Sequence, residues 1–178
     1  MKTNRKIQIG VMGSASDLGY GNEVKKLASE VGRIIAENGA VLVFGAEKDC
    51  DSLSTIACRG AKMAGGLTLG ITYGKDKLIY EKSMVDIIVP SGVERGGGRE
   101  LTLVLSCDAI IALGGGSGTL TEIAIAYQMN IPVVVVSGTG GWSDKLKGLY
   151  LDERKRFVIE SANTPEEAVK KALKLIRK

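Results

Sequence analysis

Histidine is absent from the chain. That absence excludes Ser-His-Asp and Cys-His nucleophilic sites and histidine-based zinc sites. Any acid–base chemistry then falls to carboxylates, Lys, Tyr, Cys or bound water. Aromatic residues make up 4% of the chain, too few for the stacking platform on which single-strand binders hold bases. The three cysteines, Cys50, Cys58 and Cys107, cannot all pair and show no CxxC spacing, which reads as reduced thiols in a cytoplasm. No apolar run approaches the ~20 residues of a membrane helix. The N-terminus lacks the apolar stretch of a signal peptide, Ile7–Met12 being a short strand with Gln8 and Gly10 in it.

What is present suits one domain over residues 1–178 with a full core: 44% hydrophobic and 25% charged residues describe an ordinary globular protein. The net charge is +4, and part of the excess sits at the ends (Lys2, Arg5, Lys6; Lys170, Lys171, Lys174, Arg177, Lys178). That is the mild bias of a solvated face, so nucleic acid is not the expected partner.

Short β-branched runs alternate with amphipathic ones. Strands are expected at Lys6–Met12, Ala40–Phe44, Leu67–Thr72, Met84–Val89, Ala109–Leu113, Pro132–Ser137 and Phe157–Glu160. One helix is expected over Asn22–Asn38, where Val24, Leu27, Ala28, Val31, Ile34 and Ile35 form a stripe at the 3.6 period. Further helices are expected over Ser52–Ala64, near Arg99, from Thr119, and after Thr164-Pro165-Glu166-Glu167, a capping-box start with Pro in the first turn. Tyr73–Lys82 reads as a charged surface loop. The alternation calls for an α/β fold, a Rossmann-like doubly wound, mostly parallel sheet with helices on both faces. Ligands in such sheets bind beyond the carboxyl ends of the strands. The loops holding Ser14, Gly45, Gly92–Gly98 and Gly114–Thr119 gather on that edge.

The stretch Gly96–Met129 is the focus: a glycine hinge, a helix, the apolar strand Ala109–Leu113, a glycine-rich turn and a second helix. In Gly114-Gly115-Gly116-Ser117-Gly118-Thr119 the missing side chains let the backbone bend and come close to a ligand. The helix that follows points its N-terminal amides into the turn, an arrangement that attracts phosphate. Glu122 is a carboxylate one turn in. The small residues Gly13 and Ser14, after the first strand, either face a ligand or simply make the turn. The common fingerprints do not fit: GxGxxG would need glycine where Thr119 stands, no GxxxxGK[ST] occurs, and GxSxG fails at 115–119.

The run from Arg99 to Glu122 resembles the Lonely Guy (LOG) family, long mislabelled as lysine decarboxylases, and its molybdenum-cofactor-carrier relatives. That family shows an Arg on one helix, a strand, then PGGxGTxxE; here Arg99 precedes Gly115-Gly116-Ser117-Gly118-Thr119-Leu120-Thr121-Glu122 at the family spacing, and Asp108 also matches. The resemblance implies phosphate on Gly115, Gly116, Gly118 and Thr119, with Ser117 as a further hydroxyl donor and Gly13 and Ser14 beside it. It implies Arg99 and Glu122 as the catalytic pair of a phosphoribohydrolase that cleaves the N-glycosidic bond of a nucleoside 5′-monophosphate. There a carboxylate stabilises charge building on the sugar and helps activate water.

The alternative implied is a non-catalytic carrier or sensor of a phosphorylated ligand such as a molybdopterin-type cofactor. Gly114 in place of the family proline and Glu100 after the Arg fit that branch better. In the loop Gly45–Ser52, which is glycine-rich in the family, Glu47, Asp49 and Asp51 either oppose an arriving anion or face solvent. No metal and no further cofactor is expected, a homodimer or higher homo-oligomer is, and no lysine here has the context of a decarboxylase Schiff base.

Overall fold

A computed structural model describes residues 5–94 and 98–177. Arg95, Gly96 and Gly97 of the expected glycine hinge, and the terminal Lys2 and Lys178, lie outside the described residues. Seven strands form one all-parallel sheet: β1 (Gln8–Gly13), β2 (Val41–Gly45), β3 (Leu67–Thr72), β4 (Ile87–Pro90), β5 (Ala109–Leu113), β6 (Val133–Val136) and β7 (Glu160–Ala162). Their spatial order is β4-β3-β2-β1-β5-β6-β7, so the winding reverses between β1 and β5. At that switch point the loops leaving two adjacent strands diverge to opposite faces and open a crevice. This is the doubly wound α/β architecture the alternation predicts.

The period of two along each strand splits the core. Ile9 and Val11 of β1 and Ala109, Ile111 and Leu113 of β5 face one way, beneath α1 (Asn22–Glu37), α2 (Leu53–Met63) and α6 (Pro165–Ile176). Met12, Ile110, Ala112, Val133 and Val135 face the other, beneath α3 (Arg99–Leu105), α4 (Ser117–Gln128) and α5 (Gly141–Leu146). Strands buried on both faces must be continuously apolar, which is why AIIAL and VVVV were legible as strands. Helices α1 and α2 approach until backbone meets backbone. A Cβ on Gly32 would stand 1.8 Å from the Ala57 carbonyl oxygen, and one on Gly60 would stand 2.0 Å from that of Ser29.

Three expected elements shift. The fourth strand begins at Ile87, not Met84, because residues 84–86 meet β3 through side-chain bonds in place of a backbone ladder: Thr68 N donates to the Asp86 carboxylate and Thr68 Oγ1 to the Met84 carbonyl. The last strand is the polar Glu160–Ala162; Ile159 instead exchanges backbone bonds with Gly148 and Leu149. Trp142 lies on a short helix, Gly141–Leu146. Between β3 and β4 no helix intervenes. The chain crosses over through the segment expected as surface loop, whose Ile79 is in fact buried.

The start of α6 follows its sequence signature with one change of detail. Thr164 caps the helix by accepting from Glu167 N at 3.2 Å, while Glu167 reaches back to Asn163 N at 2.8 Å, one residue earlier than in the standard capping box. Thr164→Ala is expected to cost about 1 kcal/mol, measurable as a lower denaturant midpoint with an unchanged slope.

Candidate functional site

The crevice at the switch point is a cleft of about 420 Å³. The end of β1, the loop after β2, the start of α3 and the first turn of α4 build it, and its lining includes Gly45, Glu47, Tyr73, Arg99, Thr119 and Glu122. Residues 23 positions apart in sequence thus reach one cavity, because α3 and β5 return the chain to the same sheet edge.

The glycine turn is held by the protein itself. Gly114 and Gly115 have φ of 62° and 99°, a region that glycine enters without steric penalty. Gly114 N donates to Thr139 Oγ1 at 2.8 Å, and Gly115 N donates to Ser14 Oγ at 2.7 Å. Their carbonyls accept from Ser143 N and Trp142 N. Ser14 is therefore a brace between the loops after β1 and β5, and the Gly115 amide is engaged within the turn. A side chain on Gly13 would meet Leu53 Cβ at 2.7 Å, so that glycine makes room for α2. What stays open is the start of α4, where no side chain caps Gly116. The amides of Ser117, Gly118 and Thr119 thus keep the unfilled donors and the positive end of the helix dipole. Ser117 and Gly118 are exposed at the mouth, and Thr119 is buried within it.

Arg99 is 4% exposed. Its Nη2 donates to Glu47 Oε1 at 3.0 Å and to the Tyr73 hydroxyl at 2.8 Å, and its guanidinium lies 4.0 Å from the centre of the Tyr73 ring. The Tyr73 hydroxyl in turn donates to Glu100 Oε1 at 2.8 Å. Nε and Nη1 of Arg99 are buried without a hydrogen-bond partner among the described residues. A Cβ on Gly45 would sit 2.6 Å from Nη1, so the glycine closing β2 is there to admit the guanidinium. Burial works against the Arg99 charge, but Glu47, Tyr73, Glu122 and Glu100 hold its pKa above the usual value. Burial also pushes Tyr73 up, against the pull of Arg99. Glu100 ends below the carboxylate range: burial would raise it, but its own amide, the Tyr73 hydroxyl and Arg99 outweigh that.

Glu122 is 6% exposed. Burial pushes its carboxyl up to about 8; Arg99 pulls it down, and Glu100 and Glu47 add to the rise. At neutral pH it is mostly a neutral acid.

Sequence reasoning placed Glu47, Asp49 and Asp51 as a group opposing an anion or facing solvent. Instead Glu47 balances Arg99, Asp51 pairs with Arg59 at 2.9 Å, and Asp49 is exposed. Asp108 sits at the opposite end of β5, accepting from Gln8 N at 2.9 Å and Arg5 Nη1 at 2.7 Å. Tyr73 and Thr139 were missed. Each follows a strand at its carboxyl end, and that position was the available signal. No group of metal-ligating side chains occurs among the described residues.

Residues 6–169 match the family model described as the SLOG cluster4 family. The chain belongs to that family. An uncharacterised protein of Archaeoglobus fulgidus is 36% identical over 122 residues, 68% of this chain and 74% of the relative. Among solved structures, this SLOG member resembles the molybdenum cofactor binding protein of Rippkaea orientalis, with TM-score 0.80, 30% identity, and 98% and 99% of the two chains covered. It also resembles the molybdenum cofactor carrier protein of Chlamydomonas reinhardtii, with TM-score 0.80, 29% identity, and 98% and 100% covered. The SLOG fold here carries no described helix long and apolar enough to cross a membrane.

Proposed function

We propose that this protein binds and carries a small phosphorylated ligand of the pterin or nucleotide type, with the phosphate at the start of α4 and beside Arg99. The observation that carries this reading is the pair of unpartnered, buried nitrogens on Arg99 in a cleft that also holds an uncapped helix start. A buried donor left unsatisfied costs about 1–3 kcal/mol, and an anionic oxygen would relieve it. The carrier reading draws further support from the two cofactor-binding relatives above. The ligand residues in this reading are Gly116, Ser117, Gly118, Thr119 and Arg99. Gly13, Ser14 and Gly115 shape the turn behind them.

The second reading, a nucleoside 5′-monophosphate phosphoribohydrolase, is favoured by one observation: Glu122 and Arg99 line the same cleft. That chemistry wants an ionised carboxylate against the developing sugar cation, and Glu122 is buried and mostly neutral near pH 7. What favours an anion in the cleft is the uncapped start of α4. In cells the reading implies a non-membrane partner, and a second copy of the chain is proposed as the assembly.

Calorimetry with nucleoside 5′-monophosphates and a phosphorylated pterin tests this. The phosphorylated forms are expected to bind, their dephosphorylated forms at least tenfold more weakly, and Arg99→Gln is expected to lose at least tenfold in affinity. Equal binding of the dephosphorylated compounds would overturn the phosphate site. Release of free base that disappears in Glu122→Gln would establish the hydrolase in place of the carrier.

A further inference from the structure

A second cleft, of about 560 Å³, lies on the other side of the glycine turn. Tyr20, Thr139, Trp142 and Lys145 line it, along with Gly138 and Gly140, where an added side chain would meet nothing within 4 Å. It shares Leu18 and Gly116 with the first cleft. A Cβ on Gly116 would stand 2.8 Å from Leu18 Cδ1, so the junction is a glycine backbone under one exposed leucine.

The second cleft is built, not incidental. The Asp144 carboxylate accepts from Gly138 N at 2.8 Å and from Gly140 N at 2.7 Å, which fixes the loop after β6. Trp142 N and Ser143 N bond to the carbonyls of Gly115 and Gly114, which ties that loop to the turn at the phosphate position. Trp142 is the chain's one tryptophan. Lys145 Nζ lies 4.6 Å from the centre of its ring and has no carboxylate partner among the described residues. An indole whose neighbouring ammonium is not neutralised by a carboxylate is suited to a flat heterocycle attached to an anionic group.

Resting on the phosphate site proposed above, we infer that the ligand has two heterocyclic halves joined through phosphate. One half occupies the Arg99–Glu122 cleft. The linking phosphates lie at Gly116–Thr119, and the second ring rests against Trp142 with Lys145 near the phosphate charge. The two clefts meet at the uncapped start of α4, which is where linking phosphates would find open amides.

The probes are AMP, with one ring, and diadenosine diphosphate, with two rings on a diphosphate. The two-ring probe is expected to bind at least tenfold more tightly than AMP and to quench the single tryptophan emission, which AMP leaves nearly unchanged. By calorimetry, Trp142→Leu is expected to bring the ratio of the two dissociation constants toward one, and Lys145→Gln to lower it severalfold. A ratio near one in the unmodified protein, with tryptophan emission indifferent to both, overturns the second subsite while leaving the phosphate site standing. A Trp142→Leu variant that weakens both probes equally also overturns it, since the residue then acts only through the turn. Binding of neither probe overturns both readings.

Discussion

Replacing Glu122 with glutamine is expected to remove most of the protein's loss of stability between pH 5 and pH 8.5. The Glu122 carboxyl has its folded-state pKa raised to about 8 from 4.5. Below the lower value both folded and unfolded chains hold the proton, and the group makes no difference. Between the two values the unfolded chain ionises while the folded chain must keep the proton, so stability falls as pH rises, levelling off above about 8. The full span corresponds to roughly 3–5 kcal/mol. The window is clean because the chain has no histidine. The depressed carboxylates Glu81, Asp86, Glu100 and Asp108 complete their titration below it. In the folded chain Cys58, pushed up by burial to about 12, and the buried Cys107 ionise above it, and their thiols in the unfolded chain begin to ionise only at its upper edge. Urea denaturation of both proteins at pH 5 and 8.5 measures the effect. Glutamine and wild type should be similar at the lower pH and diverge at the higher, with glutamine the more stable. Parallel pH profiles would show that Glu122 is ionised in the folded protein and would return the site to hydrolase chemistry.

Gly32→Ala is expected to destabilise the fold by about 3 kcal/mol, at the upper end of the range for overpacking. The added methyl would lie 1.8 Å from the Ala57 carbonyl oxygen and 2.7 Å from its carbon. These are backbone atoms in the middle of α2 and cannot rotate aside. The helices must separate, opening the packing of Ala28, Val31 and Ile35 against Ala57 and Ala61. Alanine's better helix propensity, worth about 1 kcal/mol, is outweighed. Gly60→Ala makes the reciprocal clash with Ser29, and once the helices have parted for one methyl the second costs less. The double variant should therefore lose distinctly less than the two single losses combined. A Gly32→Ala protein as stable as wild type would contradict the close approach of the helices.

The parts of the fold set by local pattern were legible: Ala109–Leu113 has the expected bounds because continuous burial on both faces leaves an unbroken apolar run, and Leu67–Thr72 keeps its expected bounds between Gly65-Gly66 and the charged crossover. The polar β7 carries no such run, since it pairs with β6 alone at the edge of the sheet. In the site, the glycine turn and the Arg99–Glu122 spacing could be read because each lies within one contiguous stretch. The partners of Arg99 could not. Glu47 comes from the loop after β2 and Tyr73 from the end of β3, and only the sheet order brings them beside α3. Gly45 read as an ordinary loop glycine because its reason is a guanidinium more than fifty residues away.

Those distances along the chain also bear on when the site comes into being. The bond from Gly115 to Ser14 spans 101 residues, that from Arg99 to Glu47 spans 52, and that from Gly114 to Thr139 spans 25. Each closes a long loop whose entropy must be overcome before the contact contributes. A nascent chain that has not yet delivered Thr139 has neither the acceptor for the Gly114 amide nor the loop that carries Trp142. The proposed site therefore takes shape only once the chain extends through α5 and β6 has joined β5.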